Sequence, residues 1–558
     1  MAGPKRKCST WNIPFRQFES LLWKIRENTH ESGRNFMASE KSGNMIRNAL
    51  TMMIGTFSSR VLGLLREVIT AAYFGAGRSL DAFFVAYTVA NLGRQLLAEG
   101  ALSASFVPVF SQVLERDGHR CAERLARQAL TVILGAGALA VAAGIVFSPQ
   151  LIALIAPGFA GEKKILAVTM TRQLFPFLLL ISVAALAMGA LNSLNCFFVP
   201  ALAPALSNAV YIMTVLFCAS RFGVESLVGA VLLGGAAQLA FQWWWAASRK
   251  GMLLAPARPD WQDPDLRRML ALFLPYAAGL SLNQVNPVLG RLFGSFLSDG
   301  SISMLNYSNR VIQLPLGLVV IAISQAVLPE LARCVRQGDE VFAGTLRDAL
   351  RFALFVIVPV TLGMLLVAGE AVNFLFFRGA FGVEAWRGTA STLFYAALGL
   401  PGMACSTVLM RALFARSLPR AAMTMTAASV AGTLLFSAAL VFPMEMDGIA
   451  LASSLAFTFS SGVGVALLRR AMSAPLRLFS GGWLAKIAAA CAATAAVGLA
   501  WRALWRYPAE ASLLWRGVWL VGIAAACAAV YGVATLKLKC EEWNLISQAL
   551  RRKAPPER

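Results

Sequence analysis

The sequence predicts an all-α polytopic membrane protein of about fourteen transmembrane helices, on three observations. Of its 558 residues 58% are hydrophobic and only 14% are charged. Apolar runs of about 20 residues, the length that crosses a bilayer core, recur along almost the whole chain. Lys and Arg, which set a net charge of +22, gather in alternate loops. That alternation is the positive-inside pattern, so the charge is read as membrane topology and not as a surface for nucleic acid.

Residues 1–44 form a basic N-terminal tail without the apolar segment of a secretion signal. Phe18, Leu21, Leu22 and Ile25 fall at helical spacing and suit a short helix on the membrane surface. The alternative is a disordered tail, or an upstream extension with translation starting at Met45. Candidate spans follow at 48–73, 81–114, 126–148, 168–193, 199–219 and 225–247, which make an N-lobe over 45–250. A cytoplasmic linker, 251–266, leads to spans at 268–297, 302–332, 346–368, 388–414, 420–442 and 448–470, a C-lobe over 267–471. Two more spans, 482–505 and 511–537, occupy 472–540, and 541–558 is a basic C-terminal tail.

The basic segments join spans two to three (Arg116, Arg120, Arg124, Arg127), six to seven (Arg249, Lys250, Arg258, Arg267, Arg268), eight to nine (Arg333, Arg336, Arg347, Arg351) and twelve to thirteen (Arg469, Arg470, Arg477, Lys486). An even number of spans then puts both termini in the cytoplasm. Trp243, Trp244 and Trp245 suit an interfacial anchor. The two lobes echo one another: Pro108 in SFVPVF by Pro329 in AVLPEL, and Pro200 by Pro419. Six spans per copy keep both copies in one orientation, as parallel repeats about an axis along the membrane normal.

Charges inside these spans are the functional signal. Arg60, Arg66, Arg94, Arg291 and Arg310 all lie within apolar helices. Facing lipid, they would cost about 12 to 18 kcal/mol on an insertion scale. They must be paired, snorkel to an interface, or line water. Arg60 and Glu67, seven apart, share a helix face and are read as a partly structural pair; Arg66 and Arg291 are the two read as able to snorkel. Arg94 shares NLGRQLLAEGA with Asn91 and Glu99, and Arg310 lies in NYSNRVIQLP. One arginine from each lobe, aimed into the space between them, suits an anion, because a guanidinium meets phosphate oxygens in bidentate fashion. A diphosphate is the natural candidate.

The chain lacks a P-loop, HExxH, GxSxG and a dinucleotide fingerprint, so no ATP hydrolysis, covalent catalysis or cofactor is expected. Nine scattered cysteines and two histidines, His30 and His119, offer no metal-type spacing.

The tracts SRVLGLLRE (59–67), FGAGRSLDAFFVAYTVANLGRQLLAEGALSASFVPVF (74–110), APGF (156–159), ALNSLNCFFVPALAPALSN (190–208) and GSISMLNYSNRVIQLPLGL (300–318) resemble the MurJ (MviN) family of lipid II flippases, in the multidrug/oligosaccharidyl-lipid/polysaccharide exporter superfamily. The resemblance implies two six-helix lobes facing each other in a V, with the last two helices forming an apolar groove for a polyprenyl tail. It also implies a cationic cavity for the diphosphate and sugar-peptide head group. Arg60, Asn91, Arg94, Ser303 and Arg310 match its substrate-binding positions, and Arg66, Asp81 and Glu99 its gating or ion-pair positions. The chain departs from the family at Thr88, where many members have a basic residue, at Gln95, where they have a second Arg, and at Asn309 and Gln313, where they have acids.

The expected activity is the flipping of undecaprenyl-diphosphate-linked disaccharide-pentapeptide (lipid II) from the inner to the outer leaflet of a bacterial cytoplasmic membrane by alternating access. Membrane lipids are the other expected partners, with the membrane potential or a coupled ion as energy source. The rivals are another polyprenyl-diphosphate-linked oligosaccharide, a cationic drug exchanged for an ion, and a non-transporting scaffold for cell-wall enzymes. A cation exporter would carry more intramembrane carboxylates than arginines, the reverse of this chain.

Overall fold

The computed structural model describes residues 55, 57–544 and 547, apart from 253, 282, 283 and 477. The expected N-terminal tail, and most of the C-terminal tail, lie outside the described residues. Every regular element among the described residues is helical. Helix α1 covers residues 57–74. The N-lobe continues with α2 (Arg78–Gly93), a π-helical segment (Arg94–Leu102), α3 (Ser103–Asp117), α4 (His119–Val146), α5 (Ser148–Ile155), α6 (Gly161–Leu174), α7 (Pro176–Ser193), α8 (Phe198–Phe222) and α9 (Glu225–Lys250). After the linker come α10 (Pro264–Ser281), α11 (Val285–Gly294), α12 (Ser301–Pro315), a second π-helical segment (Leu316–Val320), α13 (Ile321–Cys334), α14 (Asp339–Phe376), α15 (Val383–Ala397), α16 (Leu400–Ala415) and α17 (Pro419–Ala471). Helices α18 (Gly481–Leu504) and α19 (Leu513–Lys537) close the chain.

Local chemistry sets many of these boundaries. Pro176 and Pro419 open α7 and α17, where a missing N–H costs nothing. Gly223 and Gly251 end α8 and α9 in the left-handed region, at φ +55° and +61°. Eight helices among the described residues are long and apolar enough to cross a bilayer, or nine if α15 and α16, bent by 45°, make one span. Helix α17 runs 53 residues, about 80 Å of helix against a core of about 30 Å, and it turns at Glu445, where φ is +50°. Its length is enough for two passes. Residues 78–117, 264–294 and 301–334 are outside those eight, and they are the tracts that hold Asp81, Arg94, Arg291 and Arg310. Length and apolarity together make a multi-span membrane protein.

The two lobes share an irregularity. π-helical turns occur at Arg94–Leu102 in one lobe and Leu316–Val320 in the other, about 220 residues apart, the same offset as Pro108 and Pro329. A π turn widens a helix by one residue and is a common mark of functional sites. The first packs on α7 and α10, and the second on α12 and α13, with Arg60 of α1 against its Gly317.

Within the N-lobe α7 packs on α4 and α9, and α9 on α8; within the C-lobe α14 packs on α15 and α16, and α16 on α17. Helices α18 and α19 pair with each other against α14. Helix α10 packs on α3 and the first π segment, on the N-lobe side, while α11 packs on α17 of the C-lobe. The linker is strapped to α4 by Arg127, which donates to the Ala255 carbonyl (3.1 Å), and by Thr131, bonded to Ala257. Arg116 pairs with Asp265 (2.8 Å) and Arg268 donates to Gln112 (2.7 Å), which ties the start of α10 to α3.

Candidate functional site: interlobe arginines and a carboxylate latch

Helix α1 enters the interlobe space carrying Arg60, Arg66 and Glu67, and α12 faces it with Asn306 and Arg310. Glu67 is almost fully buried and is shared by two arginines from different lobes: Arg66 Nη2 lies 2.7 Å from its Oε1 and Arg310 Nε 3.2 Å from the same atom. Asn306 approaches its other oxygen at 3.5 Å. The second side of Arg66 is held by Asn208 Oδ1 (3.4 Å) and by the Tyr211 ring, 5.2 Å away. Arg310 also reaches Gln313 at 3.5 Å and stays 36% exposed, so its guanidinium borders open space. Arg60 lies against Gly317 of the second π segment, where a Cβ would overlap its guanidinium. The glycine there makes room for the arginine. Arg94, at the start of the first π segment, donates from Nε to Asn91 Oδ1 (2.7 Å).

Two expectations need correction. Arg60 does not pair with Glu67, whose partners are Arg66 and Arg310; the shared helix face was right but the nearer cations win. Arg66 and Arg291 do not snorkel. Arg66 is bound inside as above, and Arg291 bonds to Thr88 Oγ1 (3.2 Å), the Ile302 carbonyl (3.2 Å) and Asn306 Oδ1 (3.1 Å), with the Phe84 ring at 6.0 Å. Arg291 of α11 thus stands against Thr88 of α2.

Asp81 and Ser303 meet at the end of the bundle opposite the basic loops. Asp81 is fully buried and accepts from the Gly300 N–H (2.7 Å), the Ser303 N–H (2.8 Å) and the Ser303 hydroxyl (2.7 Å). It caps the N-terminus of α12 from the other lobe, satisfying donors that a helix start leaves orphaned. Ser303 is therefore engaged in this latch, its hydroxyl turned to Asp81. Lys163 of α6 bridges Asp81 (3.0 Å) and Asp299 (2.8 Å), and Arg78 reaches Asp299 at 2.9 Å. The Lys163 hydrogen bond, with Arg78 behind it, holds the Asp299 carboxyl below the usual carboxylate range.

Backbone contacts reinforce the latch. The Ala380 N–H donates to the Ala72 carbonyl (2.7 Å), the Gly158 N–H to Ser295 Oγ (3.0 Å) and the Tyr307 hydroxyl to the Gly75 carbonyl (3.0 Å). Tyr307 is fully buried among Phe84, Phe376 and Phe381. Gly379, at φ +58°, approaches Ala72 so closely that a Cβ would overlap its carbonyl.

Away from the charges, a cavity of about 480 Å³ lies between α14, α18 and α19, lined almost wholly by apolar side chains including Phe355, Met364, Ile523 and Tyr531. Trp543, just past α19, folds back to line it, and Glu542 beside it accepts from the Trp483 indole (2.5 Å).

Sequence reasoning missed Lys163 and gave Arg291 no site role. No motif marks Lys163, and its partners stand 82 and 136 positions away. The backbone of Glu99 lies in the first π segment, but its side chain is outside the described residues.

Comparison with known proteins agrees with this architecture. Residues 70–518 match the family model of lipid II flippase MurJ. A probable lipid II flippase MurJ of Rhizobium tropici is 34% identical over 423 residues, covering 74% of this chain and 78% of the relative. The lipid II flippase MurJ of Burkholderia cenocepacia is 32% identical over 380 residues, covering 67% of this chain and 74% of the relative. Among solved structures, a lipid II flippase MurJ in an inward closed conformation superposes with a TM-score of 0.74 at 23% identity, over 88% of this chain and all of that one. An inward-facing multidrug resistance MATE transporter of the MOP superfamily gives 0.65 at 16% identity, over 77% of this chain and 98% of that one, which speaks to fold alone. With four-fifths of its length under the family model and relatives above 30% identity, the chain belongs to the lipid II flippase MurJ family.

Proposed function

We propose that this protein moves lipid II from the inner to the outer leaflet of the bacterial cytoplasmic membrane by alternating access between its lobes. The observation that carries the reading is the bond of Arg66 and Arg310, from opposite lobes, to one buried Glu67 inside the interlobe space, with Arg60 against Gly317 just beyond α12. Such a cavity keeps a surplus of positive charge where a diphosphate fits between the lobes. In this reading Arg60, Arg94 and Arg310 bind the diphosphate, Asn91 orients Arg94, and the Arg66–Glu67 pair fixes α1.

The chain spans the membrane about fourteen times, both termini are cytoplasmic, and the Asp81–Ser303 latch closes the outer end. The polyprenyl tail lies in the groove of α14, α18 and α19. No bond of the cargo breaks, so the protein is a transporter and not an enzyme. Direction comes from the membrane potential, worth about 2.3 kcal/mol per elementary charge per 100 mV, or from a coupled ion.

Complementation tests this reading. In a bacterium depleted of its own lipid II flippase the parent chain restores growth, while Arg60→Ala and Arg310→Ala, present at equal levels in the membrane, do not. Full rescue by both Ala variants would refute the diphosphate cavity and favour a scaffold. Failure of Arg310→Lys alongside Arg310→Ala would identify a bidentate guanidinium contact.

A further inference from the structure

The cavity arginines are unevenly paired. Glu67 serves Arg66 and Arg310, whereas the three partners of Arg291 are neutral oxygens: a threonine hydroxyl, a backbone carbonyl and an amide. A half-buried guanidinium with no carboxylate bonded to it among the described residues is costly to keep, and three neutral acceptors call for N–H donors but not for a positive charge. A charge at this site therefore has a use that the closed structure does not employ.

Its location indicates which use. Thr88 belongs to α2 in the N-lobe, while Ile302 and Asn306 belong to α12 in the C-lobe, so Arg291 crosslinks the lobes from α11. Ile302 immediately precedes Ser303, which Asp81 grips by N–H and hydroxyl. The first turn of α12 is thus held from the outer side by Asp81 and from the cavity side by Arg291. Asn306, the third partner of Arg291, also reaches Glu67, the acid shared by Arg66 and Arg310.

We propose that Arg291 is a positioning residue that transmits cargo binding to the latch. It exchanges its neutral acceptors for oxygens of the cargo diphosphate, which bind a guanidinium about twice as strongly as neutral oxygens do. The exchange frees the Ile302 carbonyl and Thr88, and α12 loses its inner grip while the cargo sits among the arginines. This inference rests on the diphosphate-lipid reading above.

The Gly300 and Ser303 amides, both bonded to Asp81, report the latch directly by hydrogen exchange of the full-length protein in lipid nanodiscs. With the parent, saturating lipid II raises exchange at these amides about tenfold, the equivalent of about 1.4 kcal/mol, and undecaprenyl monophosphate raises it less. Arg291→Gln retains two hydrogen-bond donors without the charge; relative to its own resting exchange, saturating lipid II leaves both amides unchanged. The double variant Thr88→Arg with Arg291→Gln regains the response, since it returns a guanidinium to the same spot from α2. An Arg291→Gln protein that responds like the parent overturns the inference and leaves the cargo reading intact. A double variant that binds lipid II without responding overturns it as well. If the parent does not bind lipid II, the cargo reading and the inference fall together.

Discussion

Replacing Asp81 by Ala should open the end of the bundle that now holds the lobes together, and the size of the effect follows from its contacts. The carboxylate is fully buried, takes three hydrogen bonds from Gly300 and Ser303, and shares Lys163 with Asp299. Breaking a buried ion pair costs about 3 to 5 kcal/mol. Lys163 keeps Asp299, so the lower figure applies, about 3 kcal/mol or roughly a hundredfold in the ratio of closed to open. Asp81→Asn keeps one acceptor oxygen and loses the charge, which predicts a smaller change of about tenfold. Hydrogen exchange should register both at the Gly300 and Ser303 amides. The decisive reporter is the Ala380 N–H, which bonds to the Ala72 carbonyl across the lobes without touching Asp81. If the closed end opens as one unit, Ala380 accelerates in step with Gly300. Faster exchange confined to Gly300 and Ser303, with Ala380 unaffected, would reduce Asp81 to a local helix cap and refute the latch.

Other perturbations test the same geometry elsewhere. Because Asp299 is held below its ordinary value, its contribution is complete above about pH 4 and disappears as pH falls through the lower folded value; thermal stability should decline there in the parent and less steeply in Asp299→Asn. Gly379→Ala places a Cβ against the Ala72 carbonyl at a positive φ and should weaken the closed end by about 1 to 3 kcal/mol, read as faster exchange at Ala380. Ala528→Trp fills the groove between α14 and α19; affinity for a full-length polyprenyl diphosphate should fall about tenfold while that for a short-chain analogue holds.

The sequence made the membrane fold legible because the cost of burying charge and polar backbone in lipid leaves a one-dimensional record. Apolar length, basic loops and the offset between Pro108 and Pro329 are all read along the chain, and the paired π segments at Arg94–Leu102 and Leu316–Val320 fit the same offset. The site was legible as a composition, arginines inside helices, but not as a set of pairs. Glu67 illustrates why: along the helix its natural partner is Arg60, one helical repeat away, yet Arg310, 243 positions later, takes the bond because α12 crosses α1 there.

Arg291 was beyond reach for a related reason. Whether an arginine near a helix end snorkels or turns inward depends on what the neighbouring helices offer, and the acceptors at Thr88, Ile302 and Asn306 come from two other helices. A missing charge at position 88, read alone, implies a weaker cavity. Seen with α11 in contact, the same threonine is the hydroxyl that receives an arginine from elsewhere, so a guanidinium stands beside position 88 although residue 88 itself carries no charge. That distinction governs how substitutions in this cavity should be interpreted: the physical quantity that binds a diphosphate is the number of guanidinium groups within reach of its oxygens, and helices from both lobes contribute to that number.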